Sequence, residues 1–194
     1  PPSACEWLGP HYSPPEFLEA RPNSLDEWPE VRTTDAGADA AAFDAVAYGN
    51  VPEAYAGTTD IVLMMREFHN IVASDESNAV AMDVLSEIHM LLKPDGVFGL
   101  VQHRAAEDAS DAWANGENGY LKQSATIALI ESAGFTLDAS SEVNANPNDQ
   151  PSEDEFVWRL PPDLLGSEED AQLRDAMIAI GESDRMTLKF RKAS

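Results

Sequence analysis

The sharpest pattern in the chain begins at Asp60, where Ile61, Val62, Leu63, Met64 and Met65 form an unbroken apolar run. A run of that length predicts a strand buried on both faces. Beyond it, Ala81, Leu85, Ile88 and Leu92 recur at helical spacing and predict a helix over 74–92, with Ser74 as its cap. Lys93-Pro94-Asp95-Gly96 stops that helix, because proline breaks the hydrogen-bond ladder and Asp-Gly favours a turn. Val97–Gln102 is a second apolar strand. Strand, helix, tight turn and strand make a right-handed βαβ unit.

The remaining pattern is softer. Gln123–Ala133 predicts a helix closed by Gly134, and Phe135–Val143 alternates like a strand with one buried side. Asn144–Glu155 reads as polar loop. Ser167–Ile180 predicts an amphipathic helix with Leu173, Met177 and Ile180 on one stripe. Met186–Phe190 alternates as a final strand, able to pair antiparallel with Phe135–Val143. Upstream, Pro1–Pro29 is rich in proline, with short helical turns at Glu16–Arg21 and Ser24–Trp28. Val31–Asp35 is a short extended candidate, and Ala36–Ala47 is alanine-rich and weakly patterned. Two regions follow: a Pro-rich segment over 1–59 and an α/β unit over 60–194.

Composition narrows the classes. The 194 residues are 43% hydrophobic, enough for a core, and no apolar run is long enough for a membrane span. The formal charge of -23 repels phosphate backbones and anionic lipid, and no basic patch offsets it. Nucleic acid and membrane are therefore not expected partners, and the acidity reads as a solvated surface. Cys5 is the only cysteine, which excludes a disulfide scaffold. No signal peptide is visible after Pro1, and the compartment, cytoplasm or periplasm, stays open.

In an open parallel sheet, ligands bind beyond the carboxyl ends of the strands. Two such ends carry polar clusters: Arg66-Glu67-Phe68-His69-Asn70 and His103-Arg104. If the strands are neighbours, histidines, guanidiniums, a carboxylate and an amide converge, a set suited to general acid–base work or to gripping an anion. His11 and His89 read as structural or solvated. No HExxH, cysteine pair or DxDxDG loop supports a resident metal, and no GxSxG elbow or Walker loop is present. Asn146-Pro147-Asn148-Asp149 reads first as a turn, and Asp184-Arg185 as a local ion pair at the start of the final strand.

The stretch from Asp60 to Leu100, with Leu91-Leu92-Lys93-Pro94-Asp95-Gly96 between helix and strand, resembles the fourth and fifth strands of class I S-adenosylmethionine-dependent methyltransferases. Ala133-Gly134-Phe135 is similar to the family's entry into its sixth strand. A closer resemblance is to a bacterial group of predicted methyltransferases. It rests on Phe68-His69-Asn70, His103-Arg104-Ala105, Asn146-Pro147-Asn148-Asp149, and Ser183-Asp184-Arg185 leading into Met186–Lys192. The resemblance covers about residues 60–192. It implies a Rossmann-like methyltransferase sheet, mostly parallel with an antiparallel last strand, and S-adenosylmethionine as cofactor.

One departure is central. The family holds its cofactor with a loop of the form D-x-G-x-G-x-G after its first strand, and these residues contain none. The resemblance therefore implies the C-terminal part of a longer methyltransferase-like protein, with its N-terminal strands missing. On that reading, His69 or His103 removes a proton from the acceptor, Asn70 orients it and Arg104 holds an acidic acceptor. Asp35 and Glu67 are the candidate cofactor contacts. Arg66, Asn146, Asp149, Asp184 and Arg185 are the candidate contacts to a small-molecule substrate. Two other classes stay open. One is a binding or scaffold protein on a degenerate methyltransferase fold, self-pairing through an exposed sheet edge. The other is a metal-assisted hydrolase using His69 and His103.

Overall fold

A computed structural model describes residues 46–193. Asp35, Val31–Asp35, Cys5, His11 and the helical turns expected before residue 30 lie outside the described residues. Strand β1 spans Thr59–Met65 and leads through a short helix α1, Phe68–Ala73, into helix α2, Ala79–Leu91. Strand β2 spans Leu92–Ala105, and β3 is the two-residue Leu121–Lys122. Helix α3 covers Gln123–Ser132, β4 Phe135–Ser141, α4 Ala171–Ile180 and β5 Arg185–Lys192.

The sheet order is β1-β2-β5-β4, with β3 attached to the end of β2. β1 and β2 are parallel, as the βαβ pattern predicts, and β5 runs antiparallel to both β2 and β4. The fold is thus a mixed α/β sheet of the Rossmann-like methyltransferase type. The last strand in sequence is an interior strand in space.

Alternation decides which side is the core. Met64, Phe98, Leu100, Met186, Leu188 and Phe190 point to one face and are buried against Ala81, Leu85 and Ile88 of α2 and Ile130 of α3. Each such side chain contributes roughly 1.5–3 kcal/mol. Among the described residues, nothing covers the opposite face of β1. Ile61, Leu63 and Met65 are 58%, 62% and 59% exposed, which corrects the expectation of a strand buried on both faces. An unbroken apolar run reports that both sides are apolar, not that both are covered.

Other boundaries also moved. Ser74 does not cap α2; its hydroxyl donates backward to the Ile71 carbonyl at 2.7 Å. Asp75 takes that place, accepting from the Ala79 amide at 2.9 Å and from Ser77, so the helix starts at Ala79. Lys93-Pro94-Asp95-Gly96 does end the helix, but as a bulge within β2: Thr59 pairs with Leu92, and Ile61 next with Val97. Gly134, at φ 90°, closes α3 in the left-handed conformation that favours glycine. Helix α4 is capped by Asp170, whose carboxylate accepts from the Leu173 amide at 2.9 Å. Its expected apolar stripe buries nothing fully, and Leu173 is 38% exposed.

Candidate active site

The two strand ends are adjacent, because β1 and β2 pair directly up to Met65 and Val101. Arg66 then turns out of the strand at φ 60° while its amide donates to the Val101 carbonyl at 2.7 Å. That left-handed step is uncommon for a side chain larger than Asn, and it throws the chain straight into α1. His69 is thereby carried over the end of β2.

A cleft of about 240 Å³ opens there. Arg66, His69, His103, Trp158, Ser183 and Arg185 are among the residues that line it. His69 and His103 are both buried, with ring centroids 5.5 Å apart, and the Trp158 ring meets His69 edge-on at 5.8 Å. His69 is tied to Gln102, whose Oε1 lies 3.2 Å from both the His69 backbone nitrogen and Nδ1. His103 Nδ1 lies 2.6 Å from the Ser183 hydroxyl. Across the ring from its tied nitrogen, His69 Nε2 is buried without a partner, and Arg185 Nε is in the same state.

Burial holds both imidazoles neutral. It lowers His69 below its usual 6.5, against the opposing pull of the Gln102 hydrogen bond. It brings His103 down to about 3, helped by the Arg185 and Arg66 guanidiniums. Two neutral rings beside two guanidiniums form a site that accepts a proton or a hydrogen bond without first losing one.

The other sequence candidates assemble next door. Arg104 Nε and Nη2 donate to the Asp184 carboxylate at 2.9 and 3.1 Å, and Nη1 and Nη2 donate to Glu142 at 3.1 and 2.8 Å. A further donation at 3.2 Å goes to the Gln123 amide oxygen. These carboxylates raise the Arg104 pKa above its ordinary value and occupy the fork that an acidic acceptor would need. The Asn146 amide donates to Asp184 at 2.8 Å, and its side chain donates to the Ile180 and Glu182 carbonyls at 2.9 and 2.6 Å. Asp149 is buried and accepts from Tyr120 at 2.8 Å, Arg159 at 3.0 Å and the Asp184 amide at 2.9 Å. An open groove of about 740 Å³ runs beside Arg104, Asp149 and Asp184, but these three spend their polar atoms on one another and on neighbouring loops.

Glu67 and Asn70 stand at the cleft rim, where the Asn70 side chain donates to Glu67 at 3.1 Å. Arg185 donates to Glu182 at 2.6 Å. Sequence singles out neither Gln102 nor Trp158 as a site residue, and it marks Ser183 only as part of the Ser183-Asp184-Arg185 motif. Gln102 left one signal: a polar side chain closing an otherwise apolar strand run. Ser183 and Trp158 lie in irregular segments, where no period marks them.

The fit to a cofactor is uneven. Glu67 supplies one carboxylate at the end of β1, but the described residues contain no glycine-rich cradle, and Gly116 and Gly119 are committed to the loop that supports His69 and Val157. The described residues therefore offer no such cradle to S-adenosylmethionine. Among them, no group of three or more His, Cys, Asp or Glu side chains converges as a metal site.

No family model matches the chain, and no curated protein matches it. Solved structures do. The (4+2)-cyclase SpnF superposes with a TM-score of 0.53 at 16% identity, over 87% of this chain and 62% of its own. A geranyl diphosphate methyltransferase in complex with SAM gives 0.52 at 11% identity, over 86% of this chain and 64% of its own. The chain thus spans less than two thirds of either protein's length. At these identities the likeness is one of fold, and a fold of this kind hosts more than one chemistry.

Proposed function

We propose that the chain carries the acceptor side of an S-adenosylmethionine-dependent methyltransferase, and that His69 is the general base of its cleft. The observation that carries this reading is the His69 imidazole: neutral, tied at Nδ1, unpartnered at Nε2, and set at the carboxyl ends of two parallel strands. A hydroxyl or amine of a small acceptor placed in the cleft would hand its proton to Nε2. Trp158 and Leu160 would cover its apolar part and limit water. Arg66 and Arg185, rather than Arg104, are the guanidiniums open to a polar group of the acceptor. Asn70 would orient it from the rim. The further placement in a bacterial methyltransferase group belongs to this same reading.

The test is calorimetric titration with S-adenosylmethionine and S-adenosylhomocysteine, on this chain and on the chain extended by any residues its gene encodes before Pro1. Binding by either form, with methyl transfer to candidate acceptors lost by at least ~10²-fold in His69→Ala, is the expected result. No binding by either form overturns the reading. The exposed apolar row of Ile61, Leu63 and Met65 favours one alternative, a binding or scaffold protein on the same fold. In that case both titrations are flat while the chain remains folded.

A further inference from the structure

Gln102 is fully buried at the end of β2, and its two amide ends face groups whose roles are fixed. The backbone N–H of His69, 3.2 Å from Oε1, can only donate. The backbone carbonyl of Gly119, 2.8 Å from Nε2, can only accept. One orientation of the amide satisfies both; the flipped one sets donor against donor and acceptor against acceptor. The oxygen must therefore face His69.

That orientation decides the proton on the ring. His69 Nδ1 lies 3.2 Å from the same oxygen, so it bonds to Gln102 only as an N–H donor. A neutral imidazole carries a single N–H, which leaves Nε2 as a bare lone pair. Nε2 is buried with no partner, at the expense that attaches to any orphaned polar atom. Gly116 holds the supporting loop against this helix: a Cβ there would come within 2.6 Å of the His69 carbonyl oxygen.

We infer that Gln102 is a positioning residue: it fixes His69 as the Nδ1–H tautomer, so that the Nε2 lone pair faces the donor hydrogen of a bound acceptor. The word acceptor rests on the proposed function; the tautomer does not. The acceptor is then of a class that carries an O–H or N–H at the reacting atom.

The experiment is long-range proton–nitrogen NMR of the nitrogen-15-labelled chain, with His69 assigned by its loss in His69→Gln. The wild type is expected to show Nδ1 protonated and Nε2 bare. Gln102→Leu removes the oxygen, and His69 is expected to move to the Nε2–H form or to an average of the two. Gln102→Glu restores an oxygen and adds charge. It is expected to keep Nδ1–H and raise the His69 titration midpoint by about one unit or more, with His103, Arg66, Arg185 and Glu67 still around the cleft. A merely structural glutamine would leave the tautomer alone in both variants. Nε2–H in the wild type overturns the inference, as does an unchanged tautomer in a folded Gln102→Leu. If Gln102→Leu does not fold, the wild type and Gln102→Glu decide, and a midpoint that fails to rise counts against it. Absence of cofactor binding would remove the methyltransferase reading and leave the tautomer result standing.

Discussion

At the residue scale, the two cleft histidines are governed first by burial. His103 sits at about 3 in the folded chain, against about 6.5 unfolded, so the unfolded state binds its proton more readily. Stability from this group is complete above about pH 6.5 and is lost as pH falls toward about 3. Its full size is on the order of 5 kcal/mol. A His103→Gln variant is expected to show a flatter loss of stability over that window than the wild type, measured by urea unfolding at a series of pH values. Equal slopes would mean that His103 protonates freely in the folded state. His69 adds a contribution of the same sign.

At the scale of elements, the polar clamp beside the cleft does the joining. Arg104 on β2 ties Asp184 before β5 and Glu142 after β4, so one guanidinium spans three strands. Its side chain is 19% exposed, and truncating it leaves the half-buried Asp184 carboxylate without its counter-ion. Arg104→Met is expected to lower stability by about 2–4 kcal/mol and to loosen the 144–146 turn, read by thermal unfolding and amide exchange. A change below about 0.5 kcal/mol would mean that water replaces the clamp. The βαβ unit and the antiparallel last pair were legible in sequence, because β1 and β2 are continuous apolar runs while α2 and β5 keep a clean hydrophobic period. For the same reason the pattern brings Arg66, Glu67, His69, Asn70 and His103 to one strand-end cleft, whereas Arg104 lines the neighbouring groove. The clamp was not legible: Arg104 and Asp184 are far apart in the chain, and each looks like an ordinary polar strand end until the sheet order is known. Ser74 misled because serine bonds as readily to a carbonyl behind it as to amides ahead.

At the scale of the whole molecule, the sheet is two-faced. Among the described residues, helices cover one face, while Ile61, Leu63 and Met65 leave an apolar row on the other at the β1 edge. Rows of this kind associate, even against the repulsion of a chain at -23. Leu63→Lys is expected to change the melting temperature by less than about 3 °C and to reduce self-association in sedimentation velocity. Unchanged sedimentation would show that the row is silent. The sheet order also has a consequence in time. β5 enters between β2 and β4, and it brings Ser183 and Arg185 to a cleft whose histidines were made much earlier. On a ribosome, every other part of the site waits, unassembled, for the carboxyl-terminal strand to emerge. A chain released before Ser183 carries both histidines but lacks the Ser183 and Arg185 wall of the cleft.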